Sequence, residues 1–182
     1  QDSYSNYGFI VLGRLIETVS GQSYHAYVEQ HILRPAGMTG TGFEPETVKV
    51  PQRAVAYTKK DGQWVRETKS LPWRGMSAGG GYSTATDMLK FAEALRGGKL
   101  VPPALLQQAT TAQNHKRWYG FGFVVQGEGR EHQYGHEGGA PGSNSAIVVL
   151  PAQGYVIVGL ANVDPDAIGN VVNYIARRLP LQ

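Results

Sequence analysis

The chain has 182 residues, of which 41% are hydrophobic and 17% charged, with a formal net charge of +3. That length suits one domain with a substantial core. The basic residues are scattered (Lys59-Lys60, Lys116-Arg117, Arg177-Arg178), which argues against a nucleic-acid-binding face. Cysteine is absent, which excludes disulfides and thiolate metal sites, and no apolar run approaches the length of a membrane span.

In chain order, Phe9, Leu12, Leu15, Ile16 and Val19 recur at helical spacing within Tyr7 to Ser20, and Gly21 is the expected stop. Ser23 is expected to cap a second helix carrying Tyr24, Tyr27, Val28 and Ile32, ended by Pro35-Ala36-Gly37. Thr39 to Pro51 reads as an irregular loop. Ala54–Tyr57 and Gln63–Glu67, joined through Lys60-Asp61-Gly62, read as a β-hairpin. Ser70 to Tyr82 is a glycine-rich loop. Thr84 to Asp87 resembles a capping box and opens a helix with Met88, Phe91, Ala92 and Leu95, stopped by Gly97-Gly98. Pro102-Pro103 opens a shorter helix to about Ala112.

Beyond Tyr119 the pattern changes to strands: Tyr119–Val125, Glu131–Gly138, Asn144–Leu150 and Tyr155–Ala161. Asp164-Pro165-Asp166 is expected to cap a last helix with an apolar stripe of Ile168, Val171, Val172, Ile175 and Leu179. Short connections imply antiparallel strands, and the stripe should pack on their sheet. The expectation is therefore an α and β fold in one domain. Residues 1–118 form a mainly helical region with a small hairpin, and 119–182 form the antiparallel sheet with its helix.

The segment from Tyr134 to Pro151 concentrates the chemistry. A polar stretch ending in His136 meets Gly138, Gly139 and Gly142, then the apolar run Ala146 to Leu150. An imidazole beside glycine backbone on a strand edge suits presenting N–H donors to a substrate oxygen. A glycine hairpin with a surface histidine is the plainer alternative.

Tyr4-Ser5-Asn6 before a helix resembles the Tyr-x-Asn segment of the penicillin-recognising serine hydrolases, and Leu12-Gly13-Arg14-Leu15-Ile16-Glu17 continues the match. That family includes class C β-lactamases, D,D-peptidases, D-aminopeptidases and related esterases. Ile32 to Met38, Ala78 to Thr84 with Asp87, and Gly135-His136-Glu137-Gly138-Gly139 through Leu160-Ala161-Asn162 resemble its later landmarks in the same order. The resemblance implies a β-lactamase/transpeptidase-like fold, here incomplete. It also implies acyl transfer from an ester, amide or peptide through an acyl-serine, with no metal or cofactor, in a periplasmic or extracellular setting.

By the resemblance, Tyr4 is the general acid/base and His136 its electrostatic and hydrogen-bonding partner. Asn6, Glu137 and Gly138 are substrate contacts, and the backbone N–H of Gly139 is an oxyanion donor. A phenol, titrating near 10, needs a neighbouring cation to act as a base at neutral pH, and the family's Ser-x-x-Lys lysine would supply it. Tyr4 as a staple on the helix start and Asn6 as an N-cap are the structural alternatives. Glu137 stands where lactamases carry a hydroxyl, so the resemblance implies neutral or amine-bearing substrates rather than anionic β-lactams.

No Ser-x-x-Lys or Thr-x-x-Lys occurs anywhere in the sequence. The expectation is a C-terminal portion of a longer protein whose nucleophile lies upstream. Alone it would be inactive, and it would self-associate through an open sheet edge and apolar surface around Phe9, Leu12, Ile168 and Val172. Two rivals remain: a non-catalytic peptide- or peptidoglycan-binding relative, and an α/β-hydrolase using Ser77 within Gly75-Met76-Ser77-Ala78-Gly79. The second requires a strand–turn–helix around Ser77.

Overall fold

The computed structural model describes residues 2–67 and 69–179. Helix α1 (Asn6–Ser20) starts at Ser5, whose hydroxyl accepts from the Gly8 N–H at 3.2 Å, and stops at Gly21, held in the left-handed region at φ 68°. Asn6 is thus the first helical residue, and Ser5 takes the cap position. Helix α2 (Tyr24–Val28), capped by Ser23, continues through a π-helical turn (Glu29–Leu33) into α3 (Arg34–Ala36), and Gly37 closes it at φ 72°. Leu33, Ala36 and Met38 bury their side chains against Ala94 of α4 (Ala85–Arg96), with Phe43, Met88 and Phe91 packed around them. Thr84 caps α4 by accepting from the Asp87 N–H at 3.1 Å, as its sequence requires.

Asp87 is 2% exposed. One carboxylate oxygen accepts from the Gly40 N–H (2.6 Å) and the Thr41 hydroxyl (3.0 Å), and the other from the Lys90 ammonium (2.9 Å). Burial alone would raise its pKa, but Lys90, the Gly40 N–H and the Thr41 hydroxyl together hold it below the ordinary aspartate value. A carboxyl depressed in the folded state stabilises fully above the unfolded pKa and loses that contribution as pH falls through the folded one. The acid limb of a melting-temperature-against-pH curve should therefore flatten in Asp87→Asn. An unchanged acid limb would count against this anchoring role.

Strands β1 (Tyr57–Lys60) and β2 (Gln63–Arg66) pair antiparallel around Asp61-Gly62, both at positive φ (50° and 79°). That is the two-residue turn whose twist matches a hairpin. The first strand lies three residues later than expected, because so tight a turn requires Lys60 to face Gln63. The helix at Pro102-Pro103 is α5 (Pro103–Ala109), shorter than expected: the Thr110 and Thr111 hydroxyls bond back to Leu106 and Gln107 carbonyls.

The second half is a four-stranded antiparallel sheet in the order β3-β4-β5-β6, formed by β3 (Val124–Gln126), β4 (Gln133–Ala140), β5 (Ser143–Leu150) and β6 (Tyr155–Ala161). Its two faces separate by residue parity, as strand geometry dictates. Ala146, Leu150 and Ile157 face helix α6 (Ala167–Ala176), packing with Ile168, Val172, Ala176 and Leu179. Tyr134 and Val149 face the other way, onto Ala92 of α4, so the helical region and the sheet share a core.

Val172 is 2% exposed and belongs to the helix–sheet interior, contrary to its expected exposure, and Ile168 and Phe9 are half-buried. Leu12 is exposed as expected, and on the same two helices Tyr7, Val11, Leu15 and Val19 of α1 and Val171, Tyr174 and Ile175 of α6 also face solvent.

Candidate active site

Tyr4 sits just before α1, and the ring of Phe9 one turn on packs beside it at 5.7 Å between centroids. Its other neighbours come from the sheet half. Tyr119 stands edge-on at 5.9 Å and His136 of β4 is tilted at 6.0 Å. The Tyr119 hydroxyl lies 2.8 Å from His136 Nε2, and His136 Nδ1 lies 2.7 Å from the Glu137 carbonyl oxygen. The structure thus brings together Tyr4 and His136, which are 132 residues apart, and adds a tyrosine the sequence reading did not single out.

Tyr119 is fixed from behind. The Asn114 side-chain oxygen accepts from the Trp118 N–H (2.9 Å) and the Tyr119 N–H (3.0 Å), which shapes the loop before β3. Asp2 accepts from the Asn114 amide (3.2 Å) and the Lys116 N–H (2.6 Å), tying the segment before Tyr4 to that same loop. Gly120 follows because any side chain there would strike the Ala109 carbonyl at the end of α5. Burial pushes the Tyr119 phenol up to about 12, and a charge on Tyr4 would push it the same way. The signal that could have revealed this residue is the aromatic–glycine alternation Trp118-Tyr119-Gly120-Phe121-Gly122-Phe123.

The other expected site residues divide by face. His136 shares parity with Tyr134 and points to the α4 side, whereas Glu137 points to the α6 side. A Cβ placed on Gly169 in the first turn of α6 would stand 3.4 Å from Glu137 Oε2. Glu137 therefore does not join the Tyr4–Tyr119–His136 cluster, and the expected repulsion of anionic substrates cannot be drawn from its carboxylate. Gly138 and Gly139 are exposed, on the part of β4 beyond its three-residue pairing with β3. Glycine is required at Gly139, where a Cβ would meet the Pro165 ring at 2.5 Å. Asn6 is exposed on the first turn of α1, next to the cluster in sequence.

Ser77 has no part in this arrangement. Met76 and Gly79 exchange backbone hydrogen bonds (2.8 and 3.0 Å) in a tight loop, no strand leads directly into Ser77, and its side chain packs against Gly13 of α1. The antiparallel sheet removes the α/β-hydrolase alternative. A shallow hollow beside α6 is lined by Glu137, Ala146, Val148, Gly169 and Val172, and His136 also borders it. Among the described residues, no group of three or more His, Asp or Glu side chains is placed to hold a metal ion, and no helix is long and apolar enough to cross a membrane.

An antiparallel sheet thus lies between α6 and α4, with Tyr-x-Asn at the start of a helix facing His-x-Gly on a strand. A family model described as Beta-lactamase matches residues 1–180, and the chain belongs to that family. It is 32% identical over 179 residues to PbpX of Bacillus subtilis (strain 168), an alignment covering 97% of this chain and 44% of that protein. A solved penicillin-binding protein from Bacillus halodurans superposes with a TM-score of 0.90 at 30% identity, covering 97% of this chain and 56% of that one. A D-stereospecific amidohydrolase from a Streptomyces species superposes with a TM-score of 0.78 at 26% identity, covering 96% and 54%. The chain thus spans about half the length of the relatives it matches.

Proposed function

We propose that these residues are the C-terminal portion of a catalytic domain that hydrolyses an ester, amide or peptide bond through an acyl-serine. The observation that carries the reading is the Tyr4–Tyr119–His136 cluster, assembled from both halves of the fold. In this reading Tyr4 moves the proton of the serine hydroxyl on attack and returns it to the leaving group. Tyr119, held protonated by burial, cannot take that role and acts as a donor. The backbone of Gly139, in a stretch of β4 free of β3, offers an N–H to the developing oxyanion. Asn6 contacts the substrate at the first turn of α1, and Gly138 keeps the strand edge open to it. The amidohydrolase relationship favours amide or peptide substrates. The serine nucleophile comes from outside the 182 residues.

Two outcomes are expected of these residues produced alone. They remain unlabelled by a fluorophosphonate probe, whereas the intact protein is labelled at one serine outside them. They also form a dimer or larger assembly, driven by the exposed apolar groups of α1 and α6. An unlabelled intact protein would replace the hydrolase reading by that of a peptide- or peptidoglycan-binding relative. Light scattering that shows a stable monomer would refute the association.

A further inference from the structure

The hairpin of β1 and β2 has two unlike faces. Thr58 is 7% exposed and Val65 half-buried, so their side lies on the protein. Strand alternation sends Tyr57, Lys59, Trp64 and Arg66 to the other side, where all four are exposed, Trp64 by 53%. The register sets them in two directly opposed pairs, Tyr57 across from Arg66 and Lys59 across from Trp64. Each pair joins an aromatic ring to a cation, and the Lys59 ammonium lies 5.2 Å from the centre of the Trp64 ring. No carboxylate belongs to these four residues. Within Tyr57–Arg66 the acid is Asp61, in the turn, set against Lys59, Lys60 and Arg66. The base of the hairpin is fastened to the sheet. The Tyr57 N–H donates to the Asn162 carbonyl (2.9 Å), and Asp164 accepts from the Lys59 N–H (3.0 Å) and the Gly142 N–H (2.8 Å).

We propose that the face of Tyr57, Lys59, Trp64 and Arg66 is a peripheral docking surface for an anionic lipid bilayer. Tyrosine, tryptophan, lysine and arginine share one build, an apolar body ending in a polar or charged tip. The headgroup layer is where such side chains satisfy both parts at once. Two cations with no carboxylate between them complement a negative lipid surface. A protein partner fits this face poorly. It measures about 13 Å along the strands and about 10 Å across them, whereas each member of a stable protein pair commits about 800 Å². A bilayer sets no such minimum. A soluble polyanion would engage the cations and leave both rings in water, and Lys59 already covers one face of the Trp64 indole on which a flat ring would stack. The hairpin packs beside Gly142 in the turn that follows β4, so docking would hold that end of β4 near the bilayer. The inference stands apart from the hydrolase reading.

The experiment sediments the intact protein with vesicles of phosphatidylglycerol and phosphatidylcholine in equal parts, and with vesicles of phosphatidylcholine alone. The native protein should partition onto the anionic vesicles at least about tenfold more strongly than onto the neutral ones, and about 0.5 M salt should release most of it. The double variant Lys59→Gln/Arg66→Gln should bind the anionic vesicles about 20- to 30-fold more weakly, at roughly fivefold per cation. Trp64→Phe, which keeps an apolar ring, should retain more of the binding than Trp64→Ala. All variants are compared well below their melting midpoints, so that loss of fold is not read as loss of binding. Bromine-labelled lipid in the anionic vesicles should quench tryptophan emission in the native protein and less in Trp64→Phe; quenching that persists unchanged in that variant would overturn the proposal. Equal binding to both vesicles, or full binding by the glutamine variant, would overturn it as well. Long-chain polyphosphate is the soluble rival. Were it bound as tightly as the anionic vesicles, weakened by the glutamine variant and indifferent to Trp64→Ala, the face would belong to a polyanion and the bilayer would be dismissed.

Discussion

Tyr4→Phe in the intact protein should lower kcat/KM by about 10²- to 10⁴-fold, the range removed with a general acid/base. The substitution is a clean one here. Phenylalanine keeps the ring that packs against Phe9, Tyr119 and His136, so only the hydroxyl is lost. The neighbouring phenol cannot stand in, because burial pushes Tyr119 up to about 12 and its proton is directed at His136. The loss should fall on kcat, since a proton relay acts in the transition state and contributes little to ground-state binding. Ser77→Ala is the companion variant and should stay within a few-fold, because that side chain only fills the space against Gly13. Loss of activity in the serine variant with a fully active tyrosine variant would reverse the assignment.

The parts of this fold that could be read from the sequence are those set by local chemistry. The Ser5-to-Gly21 span of α1, the Thr84 cap and the Asp61-Gly62 turn each depend on residues within a few positions of one another. The apolar runs of β5 and β6 gave their limits almost to the residue. β3 was harder: a strand from Tyr119 was expected, yet it begins at Val124. Gly122 takes φ 83° and the Tyr119 N–H is committed to Asn114, so the intervening residues form a loop. That loop is what turns Tyr119 toward His136, and nothing within a few residues of either announces the contact. The face of Glu137 was in principle legible, since parity alone separates it from His136. The expectation followed the motif resemblance instead and placed both in one site. The start of α6 shows the same limit from the side of stability. Asp166 occupies the cap position without a side-chain bond, and Asp164 is drawn away to the Gly142 and Lys59 N–H groups. The side chain that serves the helix comes from a strand.

That side chain is Asn144, and its replacement should be among the most destabilising single changes in the protein. Asn144 is 6% exposed and stands across from Gly139 in the β4–β5 register. Its amide nitrogen donates to the Gly138 carbonyl at 3.0 Å, and its oxygen accepts from the Ile168 N–H at 2.7 Å. One side chain thus satisfies a carbonyl of the proposed substrate-binding strand and an N–H at the start of α6. Asn144→Ala abandons both and should cost roughly 2–4 kcal/mol. For a domain of this size that is a fall of roughly 5–15 °C in melting temperature. Asn144→Asp separates the two bonds. The carboxylate still accepts from Ile168 and gains about 0.3–1 kcal/mol from the helix N-terminus. It has no hydrogen for the Gly138 carbonyl, however, and sets a negative oxygen against it. At neutral pH Asn144→Asp should therefore melt well below the native protein. The gap should narrow in mild acid, where a protonated carboxyl can donate to Gly138 again. Thermal unfolding of both variants at the two pH values decides the matter: native-like melting of Asn144→Asp at neutral pH would mean that the helix cap alone carries the stability and that the bond to the substrate strand contributes nothing.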